Sequence, residues 1–112
     1  PAHIAAHLGH TAALEVLVKA GCSVNLAAKN GMTPAFVAAH DGHTAALEIL
    51  VKAGCDVNQA ASNGTTPTYV AAREGHTSAL EFLVKTPGCD VNQADRNGTT
   101  PAHAAVHRGH AA

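Results

Sequence analysis

Residues 33–58 read TPAFVAAHDGHTAALEILVKAGCDVN, and the same pattern recurs along the chain, from Pro1 to Asn25 and from Thr66 to Asn92. Pro1, Pro34, Pro67 and Pro101 lie 33, 33 and 34 residues apart. Gly9-His10, Gly42-His43, Gly75-His76 and Gly109-His110 keep the same phase. All ten glycines fall into three slots: before those histidines, at Gly21, Gly54 and Gly88, and in Asn-Gly at Gly31, Gly64 and Gly98. Cys22, Cys55 and Cys89 share one slot as well. A period of this length is the signature of stacked repeats, each too small to bury its apolar face alone.

The punctuation within a unit has physical causes. Thr33-Pro34 predicts an N-cap followed by proline at the first helical position, where a missing N–H costs nothing. A short helix is expected over residues 35–41, stopped by Gly42, which can take positive φ. A second is expected over residues 45–53, with Leu47, Leu50 and Val51 on one face and Gly54 as its stop. Cys55-Asp56-Val57-Asn58 then runs towards Asn63-Gly64, a tight-turn signal before the next Thr-Pro. The third unit reads Thr86-Pro87-Gly88, one residue longer, with the insertion in the loop after its second helix. The expected core is Leu14, Leu17, Val18, Leu47, Leu50, Val51, Leu80, Leu83 and Val84, closed by alanines that let helices approach.

Thr33-Pro34-Ala35-Phe36-Val37-Ala38-Ala39, Gly42-His43 and Gly54-Cys55-Asp56-Val57-Asn58 closely resemble the ankyrin repeat, and the resemblance covers the whole chain. It implies a mainly α fold: a solenoid of stacked helix-turn-helix units joined by β-hairpin-like loops. The units would be 1–27, lacking its leading hairpin, 28–60, 61–94 with the Pro87 insertion, and a truncated 95–112, together one array over 1–112. The family's usual Asp stands only at Asp95. Ala28 and Ala61 replace it, so those two hairpins are expected to be less rigid. Beginning at Pro1 with neither end capped, the chain reads as a window from a longer array, or as one whose ends are lost to disorder.

Composition narrows the classes. The chain has 112 residues, 46% apolar and 13% charged, with net charge -1. One compact domain fits that length. So even a charge balance argues against a dedicated nucleic-acid binder, which needs a clustered basic face. No apolar run approaches the roughly 20 residues that span a bilayer. A monomer is expected, with end-to-end self-association through the uncapped ends as a further mode.

Nine histidines invite a metal site. His10, His43, His76 and His110 sit in the Gly-His slot, which in resembling repeats hydrogen-bonds loops between units. His3 and His103 share a slot with Phe36 and Tyr69, where a packed ring is expected. Equivalent slots lie about 8–10 Å apart across stacked helices. One tetrahedral ion, with ligands at about 2.0–2.3 Å, does not bridge that gap, so neither metal nor cofactor is expected. The three cysteines are likewise beyond the roughly 7 Å Cα limit for a disulfide, which fits a reducing compartment, cytoplasmic or nuclear. No phosphate loop, Ser/His/Asp set or His-Glu-x-x-His helix occurs, so no enzyme is expected.

Glu15–Lys19, Glu48–Lys52 and Glu81–Lys85 are i,i+4 pairs and read as scaffold. The remaining polar residues fall out of phase. By resemblance they lie at hairpin tips or at the exposed end of the first helix, on the concave binding face. These are His7, Leu8, Lys29, Asn30, Met32, His40, Asp41, Ser62, Thr65, Arg73, Glu74, Arg96, Thr99, His107 and Arg108. Protein–protein interaction is the function this implies, with an acidic partner suggested by Arg73, Arg96 and Arg108. His7, His40 and His107 would make binding change between about pH 5 and 7. Two alternatives stand beside it. One is a structural spacer within a larger multidomain protein. The other is a substrate of an asparaginyl hydroxylase at Asn58: that class prefers Leu eight residues upstream and an acid two upstream, matching Leu50 and Asp56. Asn63-Gly64-Thr65 and Asn97-Gly98-Thr99 also match the glycosylation sequon, though tight turns account for them.

Overall fold

The computed structural model describes residues 11–19 and 31–107. Six helices follow in order: α1 (Thr11–Lys19), α2 (Pro34–Asp41), α3 (Thr44–Lys52), α4 (Pro67–Glu74), α5 (Thr77–Lys85) and α6 (Pro101–His107). No β-strand forms among the described residues; the connections before each Thr-Pro are turns. Helices α2, α4 and α6 pack side by side in one layer, and α1, α3 and α5 in a second. Each unit contributes one helix to each layer, with α2 packed on α3 and α4 on α5.

The helix starts follow from Thr-Pro. Thr33 is extended, and its hydroxyl accepts from the Phe36 N–H at 3.2 Å while Pro34 opens the helix. Thr66 does the same for Tyr69 at 3.1 Å. This satisfies an N–H that the first helical turn leaves without a partner. Gly42 ends α2 at φ +73°, and the next N–H, of His43, reaches back to the Ala38 carbonyl at 2.8 Å. That pairing needs a left-handed residue, which glycine adopts without steric cost. Helix α5 ends instead on Thr86, whose hydroxyl donates to the Phe82 carbonyl at 2.9 Å, and the inserted Pro87 follows in the exposed turn.

Leu14, Leu47, Leu50 and Leu83 are fully buried between the layers, among Ala38, Ala39, Ala46, Ala71 and Ala79. Burying each leucine contributes about 1.5–3 kcal/mol. Leu17, Val18, Val51 and Leu80 are partly buried against this cluster. Val84 departs from expectation: it is 44% exposed. It follows Leu83 directly, and about 100° of helical rotation turns it off the core face. The core also takes in Phe36, Tyr69 and Val70 from the first-helix layer.

Candidate partner-binding face

Stacking places the turns of successive units against one another. A Cβ added at Gly31 would meet the Ser62 main-chain nitrogen at 2.7 Å, and one at Gly64 would meet that of Arg96 at 2.7 Å. The Arg96 N–H donates to the Asn63 carbonyl at 3.3 Å, so the turns form a row joined by backbone contact. At the other end of the first helices, the His76 ring bonds through Nε2 to the His40 carbonyl at 2.9 Å. The Gly-His slot thus acts between units at His76, as the family resemblance implies. His3, His10, His110 and Cys22 lie outside the described residues. His103 is exposed rather than packed, because no described element covers it; its Nδ1 lies 2.7 Å from the Thr100 hydroxyl.

The turn from residue 61 is not left loose by the loss of Asp. Ala61 N–H donates to the Thr65 carbonyl at 2.8 Å and Gly64 N–H to the Ala61 carbonyl at 2.9 Å. The corresponding bonds from Asp95 to Thr99 and from Gly98 to Asp95 are 2.9 and 3.0 Å. Asn63 supplies the missing acceptor: its Oδ1 takes the Thr65 N–H at 3.1 Å and the Thr65 hydroxyl at 2.6 Å. In the last turn Asp95 Oδ1 accepts from Asn97 N–H at 2.8 Å and Thr99 N–H at 3.0 Å. These main-chain bonds, led by Thr99, hold the Asp95 carboxyl below the usual carboxylate range.

Of the expected face residues, His7, Leu8, Lys29, Asn30 and Arg108 lie outside the described residues, and His107 is placed only as the last residue of α6. His40, Ser62 and Arg96 are exposed, while Asp41, Arg73, Glu74 and Thr99 are half-buried. Met32 is half-buried against the core. Thr65 is a correction, being 3% exposed with its hydroxyl on Asn63, and so serves the turn rather than a surface.

The charges on this face partly pair among themselves. His40 Nδ1 lies 3.0 Å from Asp41 Oδ1, and Arg73 Nε donates to Glu74 Oε2 at 2.9 Å. These adjacent pairs, rather than the i,i+4 Glu–Lys pairs, are the ion pairs seen among the described residues. The Arg73 guanidinium also lies 6.0 Å from the Tyr69 ring centroid, at the limit of a cation–π contact. Burial, then the Asp95 carboxylate, raises the Tyr69 hydroxyl above its ordinary pKa. Tyr69 therefore connects Arg73 on α4 with the turn that carries Arg96, a link the sequence pattern did not signal beyond a ring in the Phe36 slot. The Arg96 guanidinium pairs with none of the described carboxylates.

Asn58 belongs to a different surface. Its Nδ2 donates to the Gly88 carbonyl at 2.7 Å, and its Oδ1 accepts from Asp90 N–H at 2.7 Å. An open groove of about 420 Å³ lies on the second-helix layer, over Val51, Phe82 and Pro87 and flanked by Lys52 and Lys85. Among the described residues no three His, Cys, Asp or Glu side chains group closely enough to hold a metal ion. No described helix is long and apolar enough to cross a membrane.

A search of curated proteins finds no match to the chain. A family model for ankyrin repeats, in three copies, matches residues 2–95. With that match across the two-layered stack of Thr-Pro-capped helices, the chain belongs to the ankyrin repeat family, whose repeats are typically non-enzymatic and mediate protein–protein interaction.

Proposed function

We propose that the chain is a non-enzymatic scaffold that binds an acidic protein segment across the row of turns and the first-helix layer. The observation that carries this is the exposed Arg96, set in a turn braced by Asp95 and by the Asn63 carbonyl. Its cation is presented on a rigid support and is not neutralised by a described carboxylate, as Arg73 is by Glu74. Preorganised cations of this kind set orientation and association rate for a carboxylate-bearing partner. The second-helix layer instead repeats Glu and Lys in each unit and offers no such imbalance.

The chain works as a monomer in a reducing intracellular compartment, where Cys55 and Cys89, both free thiols, persist as they are. End-to-end association through repeat ends remains the second mode of contact. Hydroxylation at Asn58 would require an amide already engaged at both ends by the next unit to be released, which favours the scaffold role for that residue. The spacer alternative predicts no dependence on the face at all. Reversing Arg73, Arg96 and Arg108 to Glu tests the proposal. Affinity for an acidic protein partner should fall and its salt dependence flatten. Unchanged affinity would place the binding surface elsewhere.

A further inference from the structure

On the second-helix layer two grooves occupy equivalent places in successive units, and they differ where the repeat is interrupted. The first lies between α1 and α3, over Val18 and Ile49 and beside Ala53, with a volume of about 280 Å³. The second lies between α3 and α5, over Val51 and Phe82, and reaches about 420 Å³. Phe82 stands in the slot of Ile49, and Thr86-Pro87 in that of Ala53, so the inserted residue supplies a wall that the first groove lacks. We propose that the groove between α3 and α5 is a docking site for a protein segment that carries a large apolar side chain next to a carboxylate.

Val51 and Phe82 are half-buried, so the floor keeps apolar surface that a partner's side chain would take out of water. Pro87 is exposed and adds an apolar wall at one end. That wall is braced. The Thr86 N–H donates to the Leu83 carbonyl at 3.0 Å, the Thr86 hydroxyl donates to the Phe82 carbonyl at 2.9 Å, and the Thr86 carbonyl accepts from the Cys89 N–H at 3.2 Å. A groove shaped before binding costs its ligand less ordering. Both of its sides come from neighbouring helices of the described stack.

Charge selects the occupant. The layer as a whole balances Glu against Lys, but this groove sets Lys52 and Lys85 against Glu48 alone. Neither ammonium pairs with a described carboxylate, although Glu48 and Lys52 have i,i+4 spacing. Lys52 and Lys85 are the last residues of α3 and α5, whereas Glu48 lies about one helical turn before Lys52. The basic pair and the Thr86-Pro87 wall therefore share one end of the groove. Equivalent positions on stacked helices lie about 8–10 Å apart, so two long, flexible lysine side chains can converge on one carboxylate between them. A single carboxylate matches the surplus of one lysine over Glu48, where a phosphorylated segment would bring more negative charge than the groove balances.

The test is a titration of the full chain, followed through its amide chemical shifts, with three blocked dipeptides as probes. These are acetyl-Phe-Glu-amide, its uncharged counterpart with Gln, and its small counterpart with Ala in place of Phe. Shifts should centre on Lys52, Phe82, Lys85 and Thr86, and the Gln and Ala peptides should each bind at least about threefold more weakly. Lys52→Glu with Lys85→Glu should weaken the Phe-Glu peptide roughly tenfold. Thr86→Ala with Pro87 deleted restores the spacing of the preceding unit and should weaken it as well, with circular dichroism confirming the fold. If that variant does not fold, the charge reversal at two exposed positions decides. Equal binding of the Glu and Gln peptides, or binding unmoved by charge reversal, would overturn the proposal. So would shifts centred on the Arg96 turn, or none at millimolar peptide. Arg96 is unchanged in every variant, so this groove and the row of turns fail independently.

Discussion

Asn58 and Asp90 belong to successive repeats, and the Asp90 N–H donates to Asn58 Oδ1 at 2.7 Å. The other end of the same amide donates to the Gly88 carbonyl at 2.7 Å, while Gln93 Nε2 donates to the Asn58 carbonyl at 3.2 Å. One side chain thus joins two loops of successive repeats through the Gly88 carbonyl and the Asp90 N–H. Asn58→Ala should lower unfolding stability by about 1–3 kcal/mol, read from urea denaturation. Asn58→Asp keeps the acceptor for Asp90 but turns a second acceptor on the Gly88 carbonyl, and should be at least as damaging. A loss within about 0.5 kcal/mol for both would mean that water replaces the bridge.

Leu50 and Val84 separate the buried from the exposed apolar positions of the second helices. Leu50 is 0% exposed, and Leu50→Ala should cost about 2–5 kcal/mol through the cavity it leaves. Val84→Ala removes a side chain that is 44% exposed and should cost less than about 1 kcal/mol. Thermal or urea unfolding of the two variants side by side checks the contrast. Similar losses would mean that Val84 packs against something outside the described residues.

Asp95 ties acid sensitivity to a single turn. Its carboxyl is held below its ordinary value, chiefly by the Thr99 N–H, so the folded chain favours the charged form. Its contribution is therefore complete above the unfolded carboxylate pKa of about 4 and disappears as pH falls through the lowered folded value. Asp95→Asn should flatten the loss of stability across that acid window and weaken the turn at neutral pH. Urea midpoints for parent and variant between about pH 2 and 5 measure both effects.

Cys55 should be a slow thiol. Burial, then the neighbouring Asp56 charge, pushes it up from 9.0 to about 11. Only the thiolate is nucleophilic, so alkylation near pH 8 should be roughly ten- to a hundredfold slower in the folded chain than in denaturant. Equal rates would mean that the site opens faster than the reagent reacts.

Much of this was legible in the sequence because each signal is local. Thr33, Pro34 and Gly42 mark a helix by the backbone bonds they make or omit, and those bonds form as the residue types require. That a Gly-His histidine bonds between units was implied by the family resemblance, and His76 does so at the His40 carbonyl. Val84 was misplaced because Leu-Val-Lys at the end of a short helix gives too few turns to fix where the apolar face ends. Thr65, and the turn from Ala61, were misread for a different reason. The acceptor that Ala61 lacks is supplied two residues later, and only the closed turn brings Asn63 onto the Thr65 hydroxyl. The pairing of Arg73 with Glu74 and its approach to Tyr69 depend on rotamers, which spacing does not encode.

The most direct test of the central claim is affinity capture from source-cell lysate with mass-spectrometric readout. It compares this chain with a folded variant carrying Lys29, His40, Arg73, Arg96 and Arg108 all changed to Ala. A protein rich in acidic segments, retained by the first and lost by the second, is the predicted result. The same proteins retained by both would contradict the assignment of the face, and none retained by either would favour a spacer.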